Sequence, residues 1–151
     1  MASPDTSPYF TGYNKGPGLS SVGSYQIAGT PWLSGSTLPV NGILEIKLPA
    51  VSRHIAIYNM NEDTAILSVT FRDPDDVGVT TLGHQFKIYD VTTVAGATAY
   101  PGKLEMETKC TSFWLENLSG AQTLDWQAHV ELTGIAPDQM FELSGSGIND
   151  V

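Results

Sequence analysis

Between residues 42 and 135, several short runs place apolar residues at every second position, and no window keeps a 3.6-residue period for three turns. A period of two belongs to strands that bury one face. GILEIKL (42–48) lies between Asn41-Gly42 and Pro49 and reads as a strand. SRHIAIYN (52–59) sets Ile55 and Ile57 against His54, Ala56 and Tyr58. TAILSVTFR (64–72) sets Leu67, Val69 and Phe71 against Ile66, Ser68 and Thr70. The polar run MNEDT separates these two segments, so the pair is predicted to form a β-hairpin.

The pattern continues through GHQFKIYDV (83–91), KLEMET (103–108), TSFWLENL (111–118) and TLDWQAHVELTGI (123–135). In the last of these, Leu124, Trp126, Ala128, Val130 and Leu132 share one face, and Asp125, Gln127, His129 and Glu131 share the other. About seven short strands separated by turn residues predict an all-β fold, an antiparallel β-sandwich. Alternation does not choose between jelly-roll and Ig-like topology. APDQMFE (136–142) has Pro137 early and is predicted to make a short helical turn.

The first forty residues differ. Gly, Pro and Ser make up close to half of them, and no period holds for long. Such a segment buries too little apolar surface to offset its own ordering entropy, so something must hold it. Its own core and a neighbouring subunit are the two options. The chain therefore divides into an extended N-terminal arm (1–40), a β-sandwich (41–135) and a short C-terminal extension (136–151). LSGS occurs both at 33–36 and at 143–146. Either the echo is chance or both ends form similar extended structure.

Charge narrows the partners. Only 15% of residues are charged, against roughly 25% in an average soluble domain. Net charge is −9, and the seven Lys and Arg residues are scattered. Neither nucleic acid nor an anionic membrane surface is an expected partner, because both need clustered cations. No stretch approaches the ~18 apolar residues of a membrane-spanning helix. MASPDTSPY has neither a charged nor an apolar signal region, so synthesis in a cytoplasm is expected, with any exit inside an assembly.

Candidate chemistry is sparse. Cys110 is the sole cysteine and reads as a buried strand thiol. Asp73, Asp75 and Asp76 cluster in RDPDDVG, but the spacing is not that of an EF-hand. A turn with Asp side chains bonding local amides is the expected state. His54, His84 and His129 would need facing strands to gather them into a metal site, and they read instead as surface or interface residues. Glu105 and Glu107 share one strand face and point to solvent. No nucleophile–base, phosphate-loop, dinucleotide or zinc-protease motif occurs. No catalytic residue, cofactor or metal is expected.

The aromatic residues point to contacts. Trp126 falls on the apolar face of its strand and reads as core. Trp114 stands opposite Phe113 and Leu115, which places it on an outer face as an interface candidate. Trp32, in GTPWLSG, has no local core to join and reads as an anchor. Tyr25, Ile27 and Trp32 would fasten the arm, while Tyr9, Phe10 and Tyr13 would reach a neighbour.

The run GLSSVGSYQIAGTPWLSGS (18–36), followed by a β-rich body and closed by ELTGI (131–135) and LSGSG (143–147), resembles small virion structural proteins of tailed bacteriophages. The shared motifs are structural, and no catalytic residue carries over. The resemblance implies a capsid decoration or cement protein on the virion surface, made in the host cytoplasm. Its partners would be the major capsid protein and copies of itself, for example as a trimer. A neck, tail or vertex component belongs to the same class. The competing reading is a receptor- or carbohydrate-binding sandwich on a fibre or particle surface. That reading requires Trp114, Tyr58 or Tyr89 to gather in one concave patch.

Overall fold

A computed structural model describes residues 29–61, 65–75, 84–89 and 102–140 of the 151. Eight strands form two four-stranded antiparallel sheets, as the alternation predicted. They are β1 (Thr30–Leu38), β2 (Ile43–Lys47), β3 (Ser52–Asn59), β4 (Leu67–Thr70), β5 (Phe86–Ile88), β6 (Gly102–Met106), β7 (Ser112–Asn117) and β8 (Leu124–Leu132). A 3₁₀ turn follows at Pro137–Gln139, where the early proline pointed to one.

One sheet has the order β1-β8-β3-β6 and the other β2-β7-β4-β5. Only β4 and β5 are neighbours both in sequence and in a sheet. Every other connection crosses from one sheet to the other. This is jelly-roll connectivity, and it excludes the Ig-like alternative that the sequence left open.

The crossing pattern overturns the predicted hairpin between residues 52–59 and 64–72. β3 pairs with β6 and β8, whereas β4 pairs with β5 and β7. Both segments show the right inward faces, but those faces belong to opposite sheets. β3 and β4 therefore do not pair.

The arm boundary moves as well. Residues 30–38, assigned to the arm on composition, are β1, which pairs with β8 along its whole length. The sandwich thus begins at Thr30. Residues 1–28 lie outside the described residues, and with them Tyr9, Phe10, Tyr13, Tyr25 and Ile27. Asp76 and the second LSGS lie outside them too.

The core forms where the two inner faces meet. Ile55, Ile57, Leu104, Leu124, Trp126 and Val130 come from one sheet, and Ile46, Leu67, Val69, Ile88, Phe113 and Leu115 from the other. Buried polar side chains tie the ends of this core to backbone. At one end Asn117 Nδ2 donates to the carbonyls of Pro39 (2.9 Å) and Gln122 (2.8 Å), while its Oδ1 accepts from Ser119 N–H (2.9 Å). At the other, Ser52 Oγ donates to Thr108 O (2.7 Å) and accepts from Cys110 N–H (2.9 Å).

Two glycines are set by close approach. Asn41 takes a positive φ of 53° in the β1–β2 turn, and Gly42 N–H closes the turn on Pro39 O at 2.9 Å. A Cβ on Gly42 would stand 2.6 Å from the Pro39 ring. Where the edges β5 and β6 meet, a Cβ on Gly102 would lie 2.0 Å from Tyr89 O.

Candidate interaction face

Cross-strand register determines which side chains meet on the outer face of β1-β8-β3-β6. Moving across the sheet, Leu33 lies opposite His129, His129 opposite Ala56, and Ala56 opposite Glu105. The next row runs Gly35, Gln127, Tyr58, Lys103. Gly35 contributes no side chain to its row. A shallow depression of about 400 Å³ therefore opens between Leu33, Gly35, Tyr58, Gln127 and His129. Leu33 stands at its rim with 75% of its surface exposed.

A polar cluster adjoins the depression. The β3–β8 pairing shifts register between Ser52 and His54, so Arg53 is the extra residue of a β-bulge. The bulge keeps Ser52 facing the core while His54 faces outward opposite Glu131. His54 Nε2 lies 3.3 Å from Glu105 Oε1, and Lys103 Nζ donates to Glu105 Oε2 at 2.7 Å. The hydrogen bond from Lys103, reinforced by its charge, holds the Glu105 carboxyl below the usual carboxylate range. The same bond raises Lys103. Arg53 Nε lies 3.9 Å from Glu131 Oε2. The His54 and His129 rings are 6.4 Å apart.

This places two of the three histidines side by side, with His84 before β5 in the other sheet. Among the described residues, no group of three or more His, Cys, Asp or Glu side chains has the geometry to hold a metal. Asp73 Oδ1 accepts from Asp75 N–H at 3.0 Å, which is the local turn bonding expected of that loop.

The two tryptophan candidates do not meet. Trp32 lies opposite Val130 in register, so it points inward and packs against the core while staying half-buried. It is anchored on the sandwich, one of the two options the sequence left open, because β8 supplies a core from the far end of the sandwich sequence. Trp114 sits half-buried on the outer face of the other sheet, between Glu45 and Thr70. Tyr58 lies on the first sheet's outer face, and exposed Tyr89 follows β5.

Near Trp114, the outward Glu116 carboxyl is pushed above the usual carboxylate range. Burial is the main cause, and the Asp75 charge adds to it. Its Oε2 is buried without a hydrogen-bond partner. A carboxyl that titrates higher when folded binds extra protons only between its unfolded and folded pKa values. Stability from this group therefore falls as pH rises through that interval. Glu116→Gln is expected to raise the melting temperature at pH 7 and to change it little at pH 3. Thermal unfolding of both chains at the two pH values checks this.

Cys110 is buried, as expected, but in the segment just before β7 rather than within a strand. Burial pushes its thiol up to about 11, with a partial offset from Ser52 Oγ 3.3 Å away. It is a thiol, not a thiolate nucleophile, at neutral pH.

The Leu33–Gly35–Tyr58 depression was not found from sequence. It depends on the β1–β8 register, and the only local sign was an apolar residue two positions from a glycine in an uncharged segment. No protein-family model matches this chain, and no curated protein matches its sequence.

Proposed function

We infer that this chain is a non-enzymatic structural protein of a virion, a capsid decoration or cement protein that binds the major capsid protein and copies of itself. The observation that carries the reading is the strand order, β1-β8-β3-β6 over β2-β7-β4-β5. Jelly rolls of this kind build viral capsid domains as well as lectins and cupins. The warrant is analogy at the level of the fold, and the resemblance of residues 18–36 and 131–147 to phage virion proteins selects among those uses.

Chemistry supports the same choice. The one thiol is buried and protonated, and scattered cations offer no track for nucleic acid. The lectin-like alternative required Trp114, Tyr58 or Tyr89 to share a concave patch. Tyr58 alone lines the depression, with Trp114 on the opposite sheet. A cement protein works through contact area, and the outer face of β1-β8-β3-β6 offers a continuous one.

Proteomics of purified particles tests this. The chain is expected in many copies per particle. Particles lacking it should release their genome at lower temperature and regain stability when the full-length protein is added. A truncation of residues 2–28, which spares the eight strands of the described residues, is expected to weaken that rescue. Absence of the chain from purified particles overturns the reading.

A further inference from the structure

Sheet edges need protection, since their unpaired N–H and C=O groups recruit other strands. Three of the four edges here are short and charged. β2 carries Glu45 and Lys47, β6 carries Lys103 and Glu105, and β5 is three residues long with Lys87. The fourth edge, β1, differs. It runs nine residues, TPWLSGSTL, without a charge, and its register with β8 has no bulge. Among the described residues, no strand lies beyond it.

Among the described residues, the side chains of β1 before Leu38 also lack full cover. Leu33 is 75% exposed, although it is apolar. Trp32 and Ser34 point toward the interior but remain half-buried, and inward Ser36 is exposed. Among the described residues, the sandwich is open along residues 30–37 of this strand on both faces.

We propose that β1 is a self-association edge, and that its occupant is the antiparallel β1 of a second copy of this chain. Charge argues for a copy meeting here. Two chains of net charge −9 repel, and an uncharged strand is where they approach at least cost. Symmetry argues for the same geometry, since an antiparallel edge pair is isologous about a two-fold axis.

Proline gives the register. Pro31 has no N–H, so it is tolerated where its nitrogen faces away from β8. Backbone groups alternate sides along a strand, so those of Leu33, Gly35 and Thr37 face the open edge as well. A two-fold axis at Gly35 then sets Leu33 opposite the second copy's Thr37, and Gly35 opposite its own equivalent. Each such pair exchanges both N–H···O=C bonds, and no proline has to donate. On the inner face the same register lays the second copy's Leu38 across half-buried Trp32. Two four-stranded sheets become one of eight strands.

The test uses the full chain in a sedimentation dilution series, with hydrogen exchange read at the amides of residues 33, 35 and 37. A reversible dimer with slow exchange at all three is expected. Leu33→Lys, at an exposed position, should leave the melting temperature of the monomer unchanged. It should raise the dimer dissociation constant at least about tenfold, or 1.4 kcal/mol, and free the three amides. A monomer at every concentration overturns the proposal. So does a dimer that Leu33→Lys leaves intact with fast edge amides. Slow edge amides in a monomer would assign the edge to another segment of the same chain and also overturn it.

Discussion

Phe113→Ala is expected to cost about 3–5 kcal/mol, at the upper end for a single core truncation. Phe113 is fully buried near the start of β7, opposite Ile46 of β2 and one residue beyond the last position that pairs with β4. No rigid neighbour can collapse into the space, because both flanking strands are fixed by their own ladders. The void therefore stays, and lost dispersion adds to the lost transfer free energy. Against a typical total of about 5–15 kcal/mol, that is a large fraction of stability. Urea unfolding should show a lower midpoint at unchanged slope. A loss below about 1 kcal/mol would mean that Phe113 is not the packing centre the structure makes it.

Asn59→Ala is expected to cost about 2–4 kcal/mol, by a different mechanism. Asn59 ends β3 in one sheet, yet its Nδ2 donates across the core to Ala65 O at 2.8 Å and to Ile88 O of β5 at 3.2 Å. Its Oδ1 accepts from Asn61 N–H at 3.2 Å. One amide thus stitches the two sheets together where the β3–β4 connection crosses. Alanine leaves two carbonyls of buried residues without this donor, and the missing hydrogen bonds cost more than the lost volume. Asn59→Asp isolates the donor. It keeps the shape but turns a carboxylate oxygen toward two carbonyl oxygens, which raises the carboxyl pKa. Its defect should be as severe at neutral pH and should ease as pH falls, when the protonated acid can donate. An Asn59→Asp chain as stable as wild type at pH 7 would show that these bonds contribute nothing.

How much of this was legible in the sequence depended on distance along the chain. The face of each strand was readable because alternation is local. Ile55 and Ile57, grouped on one face by the alternation, point inward together, and so do the five apolar positions of β8. The bounds of β3 were read to the residue. Partnership was not readable, because a period of two says which face is buried and not which sheet owns it. The hairpin between β3 and β4 failed on that point. β1 was missed for a physical reason as well. As an edge strand with a half-open inner face, it needs few apolar residues, so Trp32 and Leu38 alternate with serines and the segment reads as arm. The depression beside Leu33 combines β1, β3 and β8, which only the folded register brings together.

The crossing connections have a consequence for how this chain must be made. Among the described residues β1 pairs only with β8, whose first residue follows the end of β1 by more than eighty positions. At synthesis rates of about 5–20 residues per second, roughly 5–20 s pass before β8 exists to receive β1. During that interval an uncharged strand bearing Trp32 and Leu33 waits at the ribosome surface without β8, the strand it pairs with. Nascent copies on one message carry the same strand at the same time. The stretch that closes the finished sandwich is thus, among the described strands, the one that waits longest for its partner during translation.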